Sequence, residues 1–163
     1  MPEPSISVLF VCLGNICRSP LAEGVFRQLV REAHLDGHIR IASAGTGDWH
    51  VGRPPDPRMC ATAASHGVDL SQQRAQVLTS GLLASFDHVL VMDADNLRDA
   101  RALTRDPELI RRIALFRDFD PEPGDGHVPD PYYGGREGFE QVFTIVERTA
   151  RELLGHLRQL HGL

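Results

Sequence analysis

The chain contains no lysine. All 17 of its basic residues are arginine, among 163 residues in total. That absence removes every chemistry that needs a primary amine: Schiff-base catalysis, a phosphate loop ending in Gly-Lys, a kinase strand lysine, a Ser-Lys hydrolase. A cation at any site must therefore be arginine or a metal. Aromatic residues are scarce, with one Trp, two Tyr and seven Phe, so where they fall is informative. Cysteine is also sparse and odd in number: Cys12, Cys17 and Cys60. They read as thiols of a cytoplasmic protein, not as a disulfide framework. No basic-then-apolar leader and no apolar run of membrane-spanning length is visible, so no membrane association is expected. A formal charge of -5 and a pI near 5.9 argue against a general nucleic-acid binder.

What is present suits one compact domain over residues 1–163, able to bury roughly two thirds of its unfolded surface without metal or disulfides. Ser5 to Cys12 is short, β-branched and mostly apolar, as a buried parallel strand should be. After Pro20, Ala22, Val25, Phe26, Leu29 and Ala33 recur at three and four, predicting an amphipathic helix. Ile39 to Ala44 reads as a second strand, and a Pro-rich loop from Gly45 to Pro57 holds the Trp. A helix follows from about Arg58 to Ser65. His88 to Met92 is a third strand, the next helix runs from about Asp93 to Leu103, and Ile113 to Phe116 is the candidate fourth strand. Asp118 to Pro131, with four prolines, reads as an irregular surface loop. Phe139, Val142, Phe143, Val146, Ala150, Leu153, Leu154 and Leu157 mark one face of a long last helix. The alternation predicts an α/β fold in three layers, a parallel sheet with helices on both faces. Ligands in such folds sit beyond the carboxyl ends of the strands.

The loop after the first strand reads Cys12-Leu13-Gly14-Asn15-Ile16-Cys17-Arg18-Ser19. Gly14 and Asn15 are residue types that tolerate left-handed backbone angles, so the loop can curl its amides onto one point. Backed by a helix N-terminus, such a nest binds anions. The same field favours a thiolate, the attacking form of cysteine. Arg18 can grip two phosphoryl oxygens as a bidentate fork, and the Ser19 hydroxyl can donate to the sulfur and improve it as a leaving group. The constellation describes covalent phosphoryl transfer through Cys12. Zinc is a weak alternative because no second Cys pair or spaced His pair accompanies it. An acid is needed to protonate the leaving oxygen, and Asp48, Asp56, Asp93 and Asp130 are the open candidates.

On these residues the chain resembles the low-molecular-weight protein tyrosine phosphatases. The resemblance extends through Asp48-Trp49-His50-Val51-Gly52, Pro55-Asp56-Pro57-Arg58, Met92-Asp93 with Asn96-Leu97-Arg98, and Asp130-Pro131-Tyr132-Tyr133-Gly134. It implies a four-stranded parallel sheet, hydrolysis of phosphotyrosine and small aryl phosphates through a cysteinyl phosphate, and no cofactor. It also assigns the general acid to Asp130. Substrate binding falls to the loop Leu13, Gly14, Asn15, Ile16 and Cys17, with Trp49 and Tyr132 as slot walls and Leu13 at the floor. Ser43 and Gln72 are implied as partners of Asn15, Gln72 standing where the family often carries His. Cys17 lies close enough in the chain to pair with an oxidised Cys12, and the resemblance points the same way. Tyr133 is either a loop anchor or, with Tyr132, a phosphorylation site. Cys60 reads as core.

The partners so implied are phosphotyrosine proteins and a cognate tyrosine kinase, with a monomer that could associate weakly through the aromatic loops. A thioredoxin-coupled arsenate reductase is the nearest rival. It needs two further relay cysteines, and none lies after Cys60. A silent phosphotyrosine-binding module would need neither nucleophile nor acid.

Overall fold

The computed structural model describes residues 6–132 and 134–163. Ser5 and Tyr133, both singled out from the sequence, lie outside the described residues. Strand β1 (Ile6–Cys12) is buried at every position. It takes the centre of a four-stranded sheet ordered β2-β1-β3-β4, in which β2 is Ile39–Gly45, β3 His88–Val91 and β4 Ile113–Leu115. All three pairings are parallel, with Ile6 opposite Ile39, Cys12 opposite Gly45, and Val8 opposite His88. The expected α/β architecture is the one observed.

The two-residue period of β1 divides its side chains between two cores. Ile6, Val8, Phe10 and Cys12 face α1 (Arg18–Glu32), α2 (Pro57–Ser65) and α6 (Arg136–His161). Leu9 and Val11 face the other side, with Leu83 of α3 (Ser80–Ala84) and Ala100 of α4 (Ala94–Arg101). Phe10 anchors the first core by edge-on contacts with Phe26 and Phe116, at centroid separations of 5.6 and 5.4 Å. The eight apolar positions read as one face of the last helix are all buried in α6. Because Cys12 belongs to the α1 face, its thiol points toward the start of the helix that follows it. Among the described residues, no helix is long and apolar enough to cross a membrane.

Two short helices were absent from the sequence reading: α3 and α5 (Pro107–Arg111). Each has five residues, too few for a helical period to show. Their caps, Thr79 to Leu82 N–H and Asp106 to Glu108 N–H, were the available signal. The segment expected to be irregular surface from Asp118 onward also needs correction. Its first two residues close a 3-10 turn (Phe116–Phe119), and Asp120, which follows that turn, is buried, as is Arg117 just before the segment. Asp120 is paired with both Arg117 and Arg148 of α6, which is why polar composition misplaced it at the surface.

Candidate active site

The loop between β1 and α1 closes on itself at the carboxyl edge of the sheet. Asn15 adopts φ 57°, the left-handed angle its residue type tolerates. The loop rests on the end of β2: Thr46 N–H donates to Cys12 O and Gly47 N–H to Leu13 O, both at 2.9 Å. Gly45 lies so close beneath that a Cβ there would meet Leu13 O at 2.8 Å and Asn15 N at 3.1 Å. A side chain at position 45 would therefore push the loop away, a requirement with no local sequence signal. Helix α1 starts with neither a side-chain cap nor an acidic residue in its first turn. By contrast, α2, α3, α4 and α5 are each capped by an Asp or Thr side chain. The uncapped N–H groups of α1 stay open to an anion in the loop.

Ser19 Oγ lies 3.0 Å from Cys12 Sγ, both buried. It accepts from Asn15 Nδ2 at 2.8 Å, so its own hydrogen is free for the sulfur or for Ala44 O at 3.4 Å. A thiolate has no hydrogen to give, so with Cys12 ionised Ser19 is the donor. Asn15 Nδ2 also donates to Ser43 Oγ at 2.9 Å, and Ser43 donates to Glu23 Oε1 at 2.7 Å. Asn15 Oδ1 accepts from the backbone N–H of Gln76 at 2.9 Å. Gln72 is not a partner of Asn15: it is exposed and bonds Ser71 Oγ. The Gln76 amide already fills the acceptor site, so no side chain is needed from that segment. Asn15, 2% exposed, works beneath the loop; its side chain does not line the cavity.

Arg18 is 3% exposed. Burial alone would lower its pKa, but Cys12, Asp93 and Asp130 more than offset this and hold the guanidinium charged. Its Nη1 donates to Asp93 Oδ2 at 2.7 Å and to Val128 O at 3.2 Å, and Nη2 lies 3.6 Å from Asp130 Oδ2. The four candidate acids now separate. Asp56 is occupied as the cap of α2, with both oxygens bound by Arg58. Asp93 caps α4 through Oδ1 while Oδ2 holds Arg18. Burial would raise its carboxyl, yet the bonds from Arg18 and the Asn96 amide bring it below the ordinary carboxylate range, so it stays ionised. Asp48 is exposed and does not line the cavity. Asp130 lines it, and its side chain is 41% exposed.

The cavity, about 400 Å³, is walled by Trp49, His50 and Tyr132 and includes Leu13, Gly14 and Ile16. Leu13, expected at the floor, is instead 43% exposed; Cys12, Cys17 and Arg18 are the buried floor. Trp49 is 66% exposed. Tyr132 is held from behind by Arg58, which donates to its carbonyl at 2.9 Å and lies 5.5 Å above its ring. Burial, with the negative charge of Asp56, Cys12 and Asp130, pushes the Cys17 thiol far up. It therefore keeps its proton. Cys60 is half-buried against the first core. His50, Glu23, Gly45 and Arg58 were missed as contributors. For Asp93 the signal existed, since it lies two residues beyond the carboxyl end of β3, the strand beside β1.

This geometry has close counterparts. The model of the low molecular weight phosphotyrosine protein phosphatases matches residues 7–161. A low molecular weight protein-tyrosine-phosphatase of Streptomyces coelicolor is 44% identical over 154 residues, covering 93% of each chain. The low molecular weight phosphotyrosine protein phosphatase of Sus scrofa is 41% identical, covering 93% of this chain and 96% of its own. The crystal structure of a protein tyrosine phosphatase from Entamoeba histolytica superimposes with a TM-score of 0.91 at 34% identity, covering 96% and 99%. The chain belongs to the low molecular weight phosphotyrosine protein phosphatase family.

Proposed function

We propose that this chain is a protein tyrosine phosphatase that works through a phosphocysteine on Cys12. The observation that carries this reading is the cavity itself: Cys12, Arg18 and Asp130 meet in it, with Ser19 Oγ 3.0 Å behind the sulfur. The dianionic phosphoryl group enters the ring of loop amides and is gripped by Arg18. Cys12 Sγ attacks phosphorus in line as the phenolic oxygen leaves, and Asp130 gives that oxygen its proton. The resulting carboxylate then takes a proton from water, which attacks the phosphocysteine. The thiolate departs, stabilised by the Ser19 hydrogen, and inorganic phosphate is the product. Transition-state charge is met by Arg18 and preorganised amides.

The substrate class is phosphotyrosine in proteins, the product of tyrosine kinases. Trp49 and Tyr132 suit a flat phenyl ring between them, and the recessed thiol favours long aryl phosphates over short phosphoserine. Three free cysteines suit a reducing compartment such as the cytoplasm. Cys17 is positioned in the same loop to rescue an oxidised Cys12. The experiment is a peptide panel in the presence of EDTA. Phosphotyrosine should be hydrolysed with phosphoserine and phosphothreonine left intact, while equal rates on all three would sink the reading.

A further inference from the structure

We propose that Arg117 is a positioning residue for Asp130. The inference rests on the reading of Asp130 as the general acid. Between the 3-10 turn and α6, none of the described residues 120–132 and 134–135 belongs to a helix or strand, a long run for a compact domain. Asp130 lies in this run and has few direct holds: Oδ1 accepts from Tyr132 N–H at 3.1 Å, and Oδ2 stands 3.6 Å from Arg18. Where its carboxyl sits is therefore decided mainly by the backbone before it.

That backbone is wound around one guanidinium. Arg117 Nη2 donates to Glu122 O at 2.7 Å and Nη1 to His127 O at 2.7 Å, so the two arms hold both ends of the segment that precedes Asp130. Its Nε donates to Asp120 Oδ2 at 3.0 Å. Arg148 reaches in from α6 and grips both Asp120 oxygens at 2.8 and 2.9 Å, fastening the start of the loop to the core. Immediately after His127, Val128 N–H donates to Met92 O at 2.8 Å and Val128 O accepts from Arg18. The chain from Arg117 to the acid is thus continuous: guanidinium, His127 carbonyl, Val128 pinned to the strand end, then Asp130. Lysine carries its donors on a single nitrogen and cannot span three partners that are reached here from three separate guanidinium nitrogens. Arg148, in contrast, makes its hydrogen bonds among the described residues to Asp120 and Glu122 at the start of the loop.

A positioning role predicts a signature that loss of stability does not. Good leaving groups need little protonation, so a displaced acid costs rate only on poor ones. The test compares kcat/KM on para-nitrophenyl phosphate and on phenyl phosphate for the wild type, Arg117→Lys, Arg148→Met and Asp130→Asn. Arg117→Gln is run in parallel, so that a folding failure of either Arg117 variant leaves the other to decide. An Arg117 variant should lose about tenfold or more on phenyl phosphate and only about two- to threefold on the nitrophenyl ester. Arg148→Met should melt earlier but treat the two substrates alike. Equal losses on both substrates in the Arg117 variants, or the same selectivity in Arg148→Met, would overturn the proposal. If Asp130→Asn itself shows no leaving-group preference, the acid assignment has failed. If it does and the Arg117 variants do not, only the positioning role falls.

Discussion

Arg18 Nη1 donates to Asp93 Oδ2 at 2.7 Å, an ion pair at the base of the cavity between the first turn of α1 and the cap of α4. It ties the only loop cation to a neighbouring strand end, so the direction of the guanidinium is fixed before substrate arrives. Asp93→Asn keeps a residue that can cap α4 but removes the charge that orients Arg18. A charge-assisted hydrogen bond is worth about 1.5–3 kcal/mol, so kcat/KM should fall about ten- to a hundredfold, and the melting temperature should fall too because buried Arg18 loses its nearest charge partner. Steady-state kinetics beside a melting curve checks both halves.

Ser19→Ala removes the donor 3.0 Å from Cys12 Sγ. Its effect should fall mainly on the second half of the reaction, where the thiolate is the leaving group. We expect kcat to drop about tenfold or more, with a smaller change in kcat/KM. Rapid quench should then show phosphoenzyme accumulating.

Asp120 controls stability in acid. Burial opposes its ionisation, yet hydrogen bonds from Arg148, the Glu122 amide and Arg117 hold the carboxyl well below the usual range. With the folded value depressed, the contribution is complete above the unfolded value of about 3.9 and is lost as pH falls toward the folded one. Asp120→Ala leaves Arg117 buried without its carboxylate, which should cost about 3 kcal/mol at neutral pH. Chemical denaturation of both proteins should show that gap narrowing below about pH 4.

Cys17 keeps its proton, so it waits as a thiol in the same buried floor as Cys12. Peroxide converts the Cys12 thiolate to a sulfenic acid. The Cys17 sulfur then bonds to the Cys12 sulfur while the sulfenic hydroxyl leaves with the Cys17 proton as water, forming the disulfide. Wild-type activity lost to peroxide should return with dithiothreitol, and mass spectrometry should show the Cys12 to Cys17 link. Cys17→Ser should instead progress to sulfonic acid without recovery.

The loop from Cys12 to Ser19 was readable because its chemistry is contiguous: nucleophile, turn residues and cation fall within one stretch whose flanks announce a strand and a helix. Asp130 was a different case, since an acidic residue in a Pro-rich loop means little until its distance from Arg18 is known. Glu23 joins Ser43 across 20 residues and Arg58 reaches Tyr132 across 74, contacts that exist only once α1, β2 and the last loop are packed. Gln72 was misassigned because a backbone amide, which every residue carries, does the work expected of a side chain. The burial of Asp120 was hidden for a related reason: a charged residue reads as surface unless its partners, here Arg117 and Arg148 on a distant helix, are known.

The central claim is that the phosphoryl group passes through Cys12. Rapid acid quench during turnover of a phosphotyrosine peptide, followed by peptide mass spectrometry under conditions that preserve phosphocysteine, tests it most directly. The account predicts phosphate on Cys12, and neither phosphocysteine nor turnover in Cys12→Ser. Full activity in Cys12→Ser, or phosphate carried on Cys17, would contradict it.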